Sequence, residues 1–250
     1  MLFFCYLCYT MTITKKIQKQ ISRIAEGATF KYEQLAIEPQ EYPAAAKAME
    51  RLIEKGVIKR VSTGVFYKPK QTVFGELKPN EQELLKSYLF EKGKRVAYIT
   101  GTSLYNRMGL TTQIPKTIKI ASRDKRITVS RGNIKAAPVK SYVDVTDKNF
   151  YLLELLDTLK DFRKIPDLDK DSAIKILSDK LKALSPSEIK LLIKCGLAYP
   201  PRVRSFLGAL LEKINVTTDL SPLKESLNPF SEYDYGIKNI VLTAENWNIK

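Results

Sequence analysis

Asp167, preceded by Pro166, and the run Glu188-Ile189-Lys190 that begins 21 residues later place two acids and a lysine in the order used by Mg²⁺-dependent nucleases. In that chemistry the acids hold the metal and the lysine assists the attacking water. It needs the second acid and the lysine on a strand. Here Ser185-Pro186-Ser187-Glu188 spells a helical capping box with proline at the first helical position, and Leu191-Leu192-Ile193 continues a helix. The chain has no histidine, which removes Ser-His-Asp triads, Cys-His pairs and His-based metal sites. Cys5 and Cys8 have CxxC spacing without a second ligand pair, and Cys195 reads as a small buried hydrophobe. Neither a GxxxxGK[ST] loop nor a GxGxxG run is present. The expectation is therefore a protein that is not an enzyme and needs no cofactor or metal.

The remaining chemistry is electrostatic. Forty-two Lys and Arg face 27 Asp and Glu, a net charge of +15, which favours a polyanionic partner, nucleic acid first. The surplus is uneven: residues 11–70 carry +6, residues 71–145 carry +8, residues 146–214 carry +3 and residues 215–250 carry −2. A polyanion-binding face is thus expected in the first 145 residues. Within it, Lys116, Lys119, Arg123, Lys125, Arg126, Arg131, Lys135 and Lys140 meet the single acid Asp124, forming a second candidate contact surface. Flanking DNA, RNA or an acidic protein face would suit it, and a solvated meander is the alternative.

The elements that must position these charges show in the hydrophobic period. Ile17, Ile21 and Ile24 share one face of a first helix, with Thr14 as its cap and Gly27 as its end. Phe30 to Leu35 reads as a short second helix. Ala45, Met49, Leu52 and Ile53 define the buried face of a third helix. After Gly56 the period becomes two, through Val57, Ile58 and Val61 to a turn at Ser62-Thr63-Gly64 and a return strand Val65-Phe66-Tyr67. Helix, helix, helix, hairpin is the order of a winged helix-turn-helix, which offers one helix to the major groove. The DNA contacts expected on it are Lys31, Tyr42, Ala44, Lys47, Ala48 and Arg51, with Lys59, Arg60, Ser62 and Thr63 on the wing. A solvated amphipathic face is the alternative.

Further on, the pattern predicts a helix from about Pro79 to Lys92, a buried strand at Val96 to Ile99 and a short helix ending at Gly109. Strands follow at Lys116 to Ser122, Ile127 to Ser130 and Ile134 to Ala137. Helices then cover 152–162, 172–184, 185–195 and 202–214. Pro229, Phe230, Tyr233, Tyr235 and Trp247 suggest a packed tail. The fold class expected is α+β, an N-terminal winged helix-turn-helix followed by a mixed domain whose small β-sheet is covered by helices. The expected division is 1–10 as a non-native start extension ahead of Met11, 11–70 as the DNA-binding domain, 75–215 as the α+β domain and 216–250 as the tail. Residues 1–10 are apolar but shorter than the roughly 20 residues that span a bilayer and lack a signal-peptide pattern, so no membrane partner and a cytoplasmic location are expected.

Two stretches together resemble the AbiEi-type antitoxins of bacterial type IV toxin-antitoxin systems. They are the alanine-rich helix leading into Leu52-Ile53-Glu54-Lys55-Gly56-Val57-Ile58-Lys59-Arg60 with the wing Gly64-Val65-Phe66-Tyr67, and the later set Gly101, Leu104, Asn106, Gly109-Leu110-Thr111-Thr112-Gln113 and Ile114-Pro115. The resemblance spans residues 12 to 215. It implies a repressor that binds inverted repeats in double-stranded DNA at its own promoter, and a second domain that counteracts a cognate nucleotidyltransferase toxin in phage defence. It implies DNA contacts on the Ala44 to Arg51 helix face and the Lys59 to Thr63 wing, and an antitoxin role for residues 96–215. The competing reading is a winged-helix module for protein or RNA without antitoxin role.

Overall fold

The computed structural model describes residues 12–250 apart from 63, 74, 78–80, 92 and 132–133. Residues 1–10, with Cys5 and Cys8, and Thr63 of the expected wing lie outside the described residues. The chain is mixed α+β and divides into two compact units, Met1–Ser87 and Tyr88–Lys250.

The first unit opens with helix α1 (Ile13–Ser22), which buries Ile17 and Ile21. Thr12 precedes it, so Thr14 lies inside the first turn rather than at the cap. The expected second helix divides in two. Thr29–Lys31 is strand β1 and Tyr32–Leu35 a single 3-10 turn. Tertiary pairing overrides local propensity here: Thr29, Phe30 and Lys31 stand opposite Tyr67, Phe66 and Val65 of the return strand. Helix α2 (Tyr42–Glu54) follows a 3-10 turn at Pro39–Glu41 and buries Ala45, Ala48, Met49 and Leu52. Strands β2 (Lys59–Ser62) and β3 (Val65–Tyr67) complete a three-stranded antiparallel sheet in the order β1-β3-β2. Phe66 sits at its centre, with the rings of Phe30 and Tyr32 at 5.8 and 5.3 Å. A hairpin of β4 (Lys70–Thr72) and β5 (Gly75–Leu77) and helix α3 (Glu81–Leu89) come next. Glu83 ties α3 to β1: its carbonyl accepts from the Thr29 hydroxyl at 2.8 Å and its carboxylate from the Thr29 backbone N–H at 3.1 Å.

The second unit starts with a short hairpin, β6 (Phe90–Glu91) and β7 (Lys94–Arg95), then β8 (Ala97–Thr100), α4 (Thr102–Arg107), β9 (Ile118–Ser122), β10 (Val129–Arg131) and β11 (Ile134–Lys140). Its four-stranded sheet runs β10-β11-β9-β8, and β9 pairs with β11 in parallel. Gly101 makes the β8-to-α4 turn at φ +72° and ψ −153°, a conformation open essentially to glycine, with the Lys119 side chain lying against it. Helices α5 (Phe150–Asp161), α6 (Lys170–Lys182), α7 (Pro186–Gly196), α8 (Pro201–Lys213) and α9 (Ser221–Glu225) form the rest, with a 3-10 helix at Leu242–Trp247. Helix α5 is buried on nearly every side, including the polar Glu154, Asp157 and Thr158, because it packs against β8, α7 and α8. Trp247 closes over Gly208 of α8, where a Cβ would collide with the indole ring. No helix among the described residues is long and apolar enough to cross a membrane.

Candidate nucleic-acid interface

Helix α2 sorts its residues by period. Ala45, Met49 and Leu52 face the core while Tyr42, Ala44, Lys47, Glu50, Arg51, Glu54 and Lys55 are exposed. Ala48 corrects the expected face: it is 1% exposed and belongs to the core. The helix is held closely enough that position 48, three residues from Ala45 and four from Leu52, falls within the apolar stripe rather than at its rim. Glu50 and Glu54 share the exposed side, so the surface is less uniformly basic than its lysines suggest. Lys47 and Arg51, four residues apart and therefore neighbours on the helix, have no side-chain ion pair or hydrogen bond among the described residues. Lys16 and Glu41 clamp α1 to the start of α2 at 2.9 Å, and the lysine's hydrogen bond holds the Glu41 carboxyl below its ordinary value.

The hairpin is less available than its composition implies. Lys59 is bound to Glu76 of β5 at 2.6 Å, and the same carboxylate accepts from the Tyr67 hydroxyl at 2.8 Å. Burial, reinforced by Glu76, pushes the Tyr67 phenol up to about 12. Arg60 stands opposite Phe66 across the sheet, its guanidinium 5.7 Å from the ring centroid, yet the residue remains exposed. Burial raises the Tyr32 phenol against the opposing pull of Arg60. Ser62 ends β2 beside a register shift between Arg60 and Ser62. Lys31 ends β1 and is half-buried, in a strand rather than on the expected helix.

The second basic surface is not one patch. Lys119 is in register with Ala137 of β11, so Lys119 and Lys135 share one face of the four-stranded sheet. Arg123, Lys125, Arg126 and Lys140 gather instead in a groove of about 370 Å³ beyond the carboxyl ends of β9 and β11, together with Asp124. Two of those cations have intramolecular partners: Arg123 donates to the Tyr142 carbonyl at 2.9 Å, and Lys125 pairs with Glu91 at 2.7 Å. Lys116 is exposed in the loop before β9, and Arg131 ends β10.

The residues weighed for metal-dependent chemistry are otherwise engaged. Glu188 accepts from the Ser185 backbone N–H at 2.8 Å, the Ser185 hydroxyl at 2.6 Å and the Tyr151 hydroxyl at 2.6 Å. Those bonds, from Ser185 first, lower its carboxyl to about 2. The hydrogen bond to Glu188, with burial and the carboxylate's charge added, raises the Tyr151 phenol to about 12. Asp167 accepts from the Gln113 side chain at 3.0 Å.

Sequence reasoning missed the most elaborate polar site. Asp157 is 2% exposed and accepts from the hydroxyls of Tyr98 at 2.9 Å, Thr100 at 2.8 Å and Tyr199 at 3.2 Å, and from the Lys160 ammonium at 2.7 Å. Burial, then the Asp157 charge, raises the phenols of both tyrosines. Nearby, Tyr105 donates to Asp161 at 2.8 Å and Arg107 to Glu154 at 2.7 Å, and burial raises the Glu154 carboxyl despite Arg107. The one available signal was a Leu-rich helix, Leu152 to Leu159, interrupted by acids at positions that its own period buries.

No curated protein matches the chain. Among solved structures it is similar to the RV2827C protein from Mycobacterium tuberculosis, at 12% identity and a TM-score of 0.52 over 89% of this chain and 84% of that one. At that identity the likeness speaks to the fold alone. A family model matches residues 16–180, running from α1 into α6 and so taking in the exposed face of α2, the four-stranded sheet and Asp157 with Tyr98, Thr100 and Lys160, though not Tyr199. The chain therefore belongs to the DUF6088 family, a family of unknown function.

Proposed function

We propose that the first unit is a winged helix that binds double-stranded DNA through α2, and that the protein is a transcriptional autorepressor. The observation that carries this reading is the pair Lys47 and Arg51, exposed with no side-chain partner among the described residues on a helix backed by a β1-β3-β2 sheet. Helix, strand, short helix, helix and hairpin is the winged-helix order, and its third helix is the one that enters the major groove. Lys47 and Arg51 reach guanine acceptors or phosphates, while the small side chain of Ala44 allows close approach at the helix start. With Lys59 held by Glu76, Arg60 is the hairpin's principal phosphate contact.

The second half of the proposal rests on the resemblance to AbiEi-type antitoxins: the second unit counteracts a nucleotidyltransferase toxin, and the protein has no catalytic role of its own. The Gly101 turn and Asn106, which donates to the Thr111 carbonyl at 3.2 Å, give the resembling segment a defined loop between β8 and β9.

A mobility-shift titration of the chain against its own upstream DNA over a salt series tests the repressor. The expected result is a complex that depends on an inverted repeat and weakens as salt rises, with a slope of about −0.9 for each phosphate neutralised. Equal binding to scrambled duplex removes the claim. For the antitoxin, the second unit, residues 88–250, is expected to protect cells expressing the product of the adjacent gene, and its failure to protect while folded by circular dichroism removes this half.

A further inference from the structure

A groove of about 220 Å³ in the second unit is lined by Lys160, Arg163, Lys164 and Arg202, with Glu232, Tyr233, Asp234 and Tyr235 on its other wall. Three segments far apart in sequence supply these groups: the end of α5 with the 3-10 turn Phe162–Lys164, the first turn of α8, and the C-terminal stretch. Three of the four basic side chains are held in place. Lys160 is fixed from beneath by Asp157, which is itself held by Tyr98, Thr100 and Tyr199. Arg163 pairs with the Asp234 carboxylate at 3.1 Å and donates to its carbonyl at 3.0 Å. Arg202 donates to the Lys160 carbonyl at 3.2 Å, and its own carbonyl accepts from the Tyr235 hydroxyl at 2.9 Å.

Charge balance then decides what the groove can take. Asp157 is answered by Lys160, Asp234 by Arg163 and Glu232 by Lys250 at 2.8 Å. Lys164 and Arg202 have no carboxylate partner among the described residues, so the groove is left positive. Lysine has three donors and arginine five, so each anchored cation keeps N–H groups for a ligand. The first turn of the 13-residue helix α8 adds the positive end of its dipole. A deeply buried carboxylate with four donors costs desolvation that a surface lysine alone does not require. Its effect is to fix the Lys160 ammonium in place, 5.5 Å from the Tyr142 ring centroid, with the side chain 14% exposed.

We propose that this groove binds the phosphate of a small phosphorylated ligand of mononucleotide size, with Lys160, Lys164 and Arg202 on the phosphate and Tyr233 against the remainder. The volume admits a phosphate and its sugar and is far too small for a duplex. This site is separate from α2, and the proposal stands whether or not α2 binds DNA.

Calorimetric titration of the full chain with AMP, adenosine and inorganic phosphate tests it. The expected results are saturable 1:1 binding of AMP, none of adenosine, and displacement of AMP by inorganic phosphate. Lys164→Ala and Arg202→Ala should each weaken AMP about tenfold through loss of a charge-assisted hydrogen bond, and Lys47→Ala should not. Lys164 has no partner among the described residues, so its substitution spares the fold. Absence of saturation, adenosine binding as tightly as AMP, or an equal loss in Lys175→Ala on the exposed face of α6 overturns the proposal.

Discussion

The exposed face of α2 and the interior edge of α5 use charge in opposite ways. On α2, Lys47 and Arg51 are exposed with no side-chain partner among the described residues, and their helix is anchored by apolar packing and by Lys16 with Glu41. Around α5, Lys160, Arg107 and Arg95 are each paired, with Asp157, Glu154 and Asp147, and Arg95 also lies 3.8 Å from the Phe150 ring centroid. The second unit has more cations, and among the described residues Arg95, Arg107, Lys125, Lys160, Arg163, Lys238 and Lys250 each pair with a carboxylate. A surplus of lysine and arginine therefore does not locate an interface. What locates one is the set of cations left over once partners are assigned.

Four experiments break or sharpen this contrast. The largest effect is expected from Asp157→Ala, which strands Lys160 and two buried phenols. Removing one partner of such a buried pair costs about 3–5 kcal/mol, so urea denaturation should show the second unit lost far earlier while the first is unchanged. Gly208→Ala comes next, because the added Cβ meets the Trp247 ring. Overpacking costs about 1–3 kcal/mol, read as a lower Tm of the second unit with reduced burial of tryptophan fluorescence. Lys47→Ala and Arg51→Ala should behave in reverse. They should leave stability within about 0.5 kcal/mol and make the salt slope of DNA binding shallower by about 1 for each phosphate that is no longer neutralised.

The smallest effect is a titration. Tyr98, Tyr105 and Tyr199 are raised by burial first, so in the folded chain they stay protonated above the ordinary phenol value of about 10. A raised folded value contributes stability that is complete below the unfolded value and is lost as pH rises beyond it. Absorbance at about 295 nm between roughly pH 10 and 11 should thus register fewer ionised tyrosines in the folded chain than in urea, and stability should fall over the same range. Glu188 has the opposite sign: lowered to about 2 from 4.5, its contribution is present above the ordinary value and is lost as pH falls between the two.

Sequence and structure agree most where period and capping act locally. Helix α7 begins after the Ser185 capping box that its sequence spells, and α2 follows the apolar spacing of Ala45, Met49 and Leu52. Agreement fails where a partner distant in the chain decides. Thr29 to Lys31 become a strand because Val65 to Tyr67 pair with them, and the parallel alignment of β9 with β11 leaves no local mark. The same reason hid the state of particular residues. Lys59 reads as free until Glu76 is folded against it, Ala48 as exposed until the core closes around it, and Asp157 gains its hydroxyl partners only when Tyr98 and Tyr199 arrive from 59 and 42 residues away.

Fluorescence anisotropy of a labelled upstream duplex tests the central claim most directly, comparing the Lys47→Ala/Arg51→Ala and Lys119→Ala/Lys135→Ala double variants with the parent chain. The α2 pair should lose at least about tenfold in affinity and discrimination against scrambled DNA, at about 1.4 kcal/mol per tenfold, while the sheet pair keeps its discrimination. Equal losses in the two variants, or no loss of discrimination in the α2 pair, would contradict that claim.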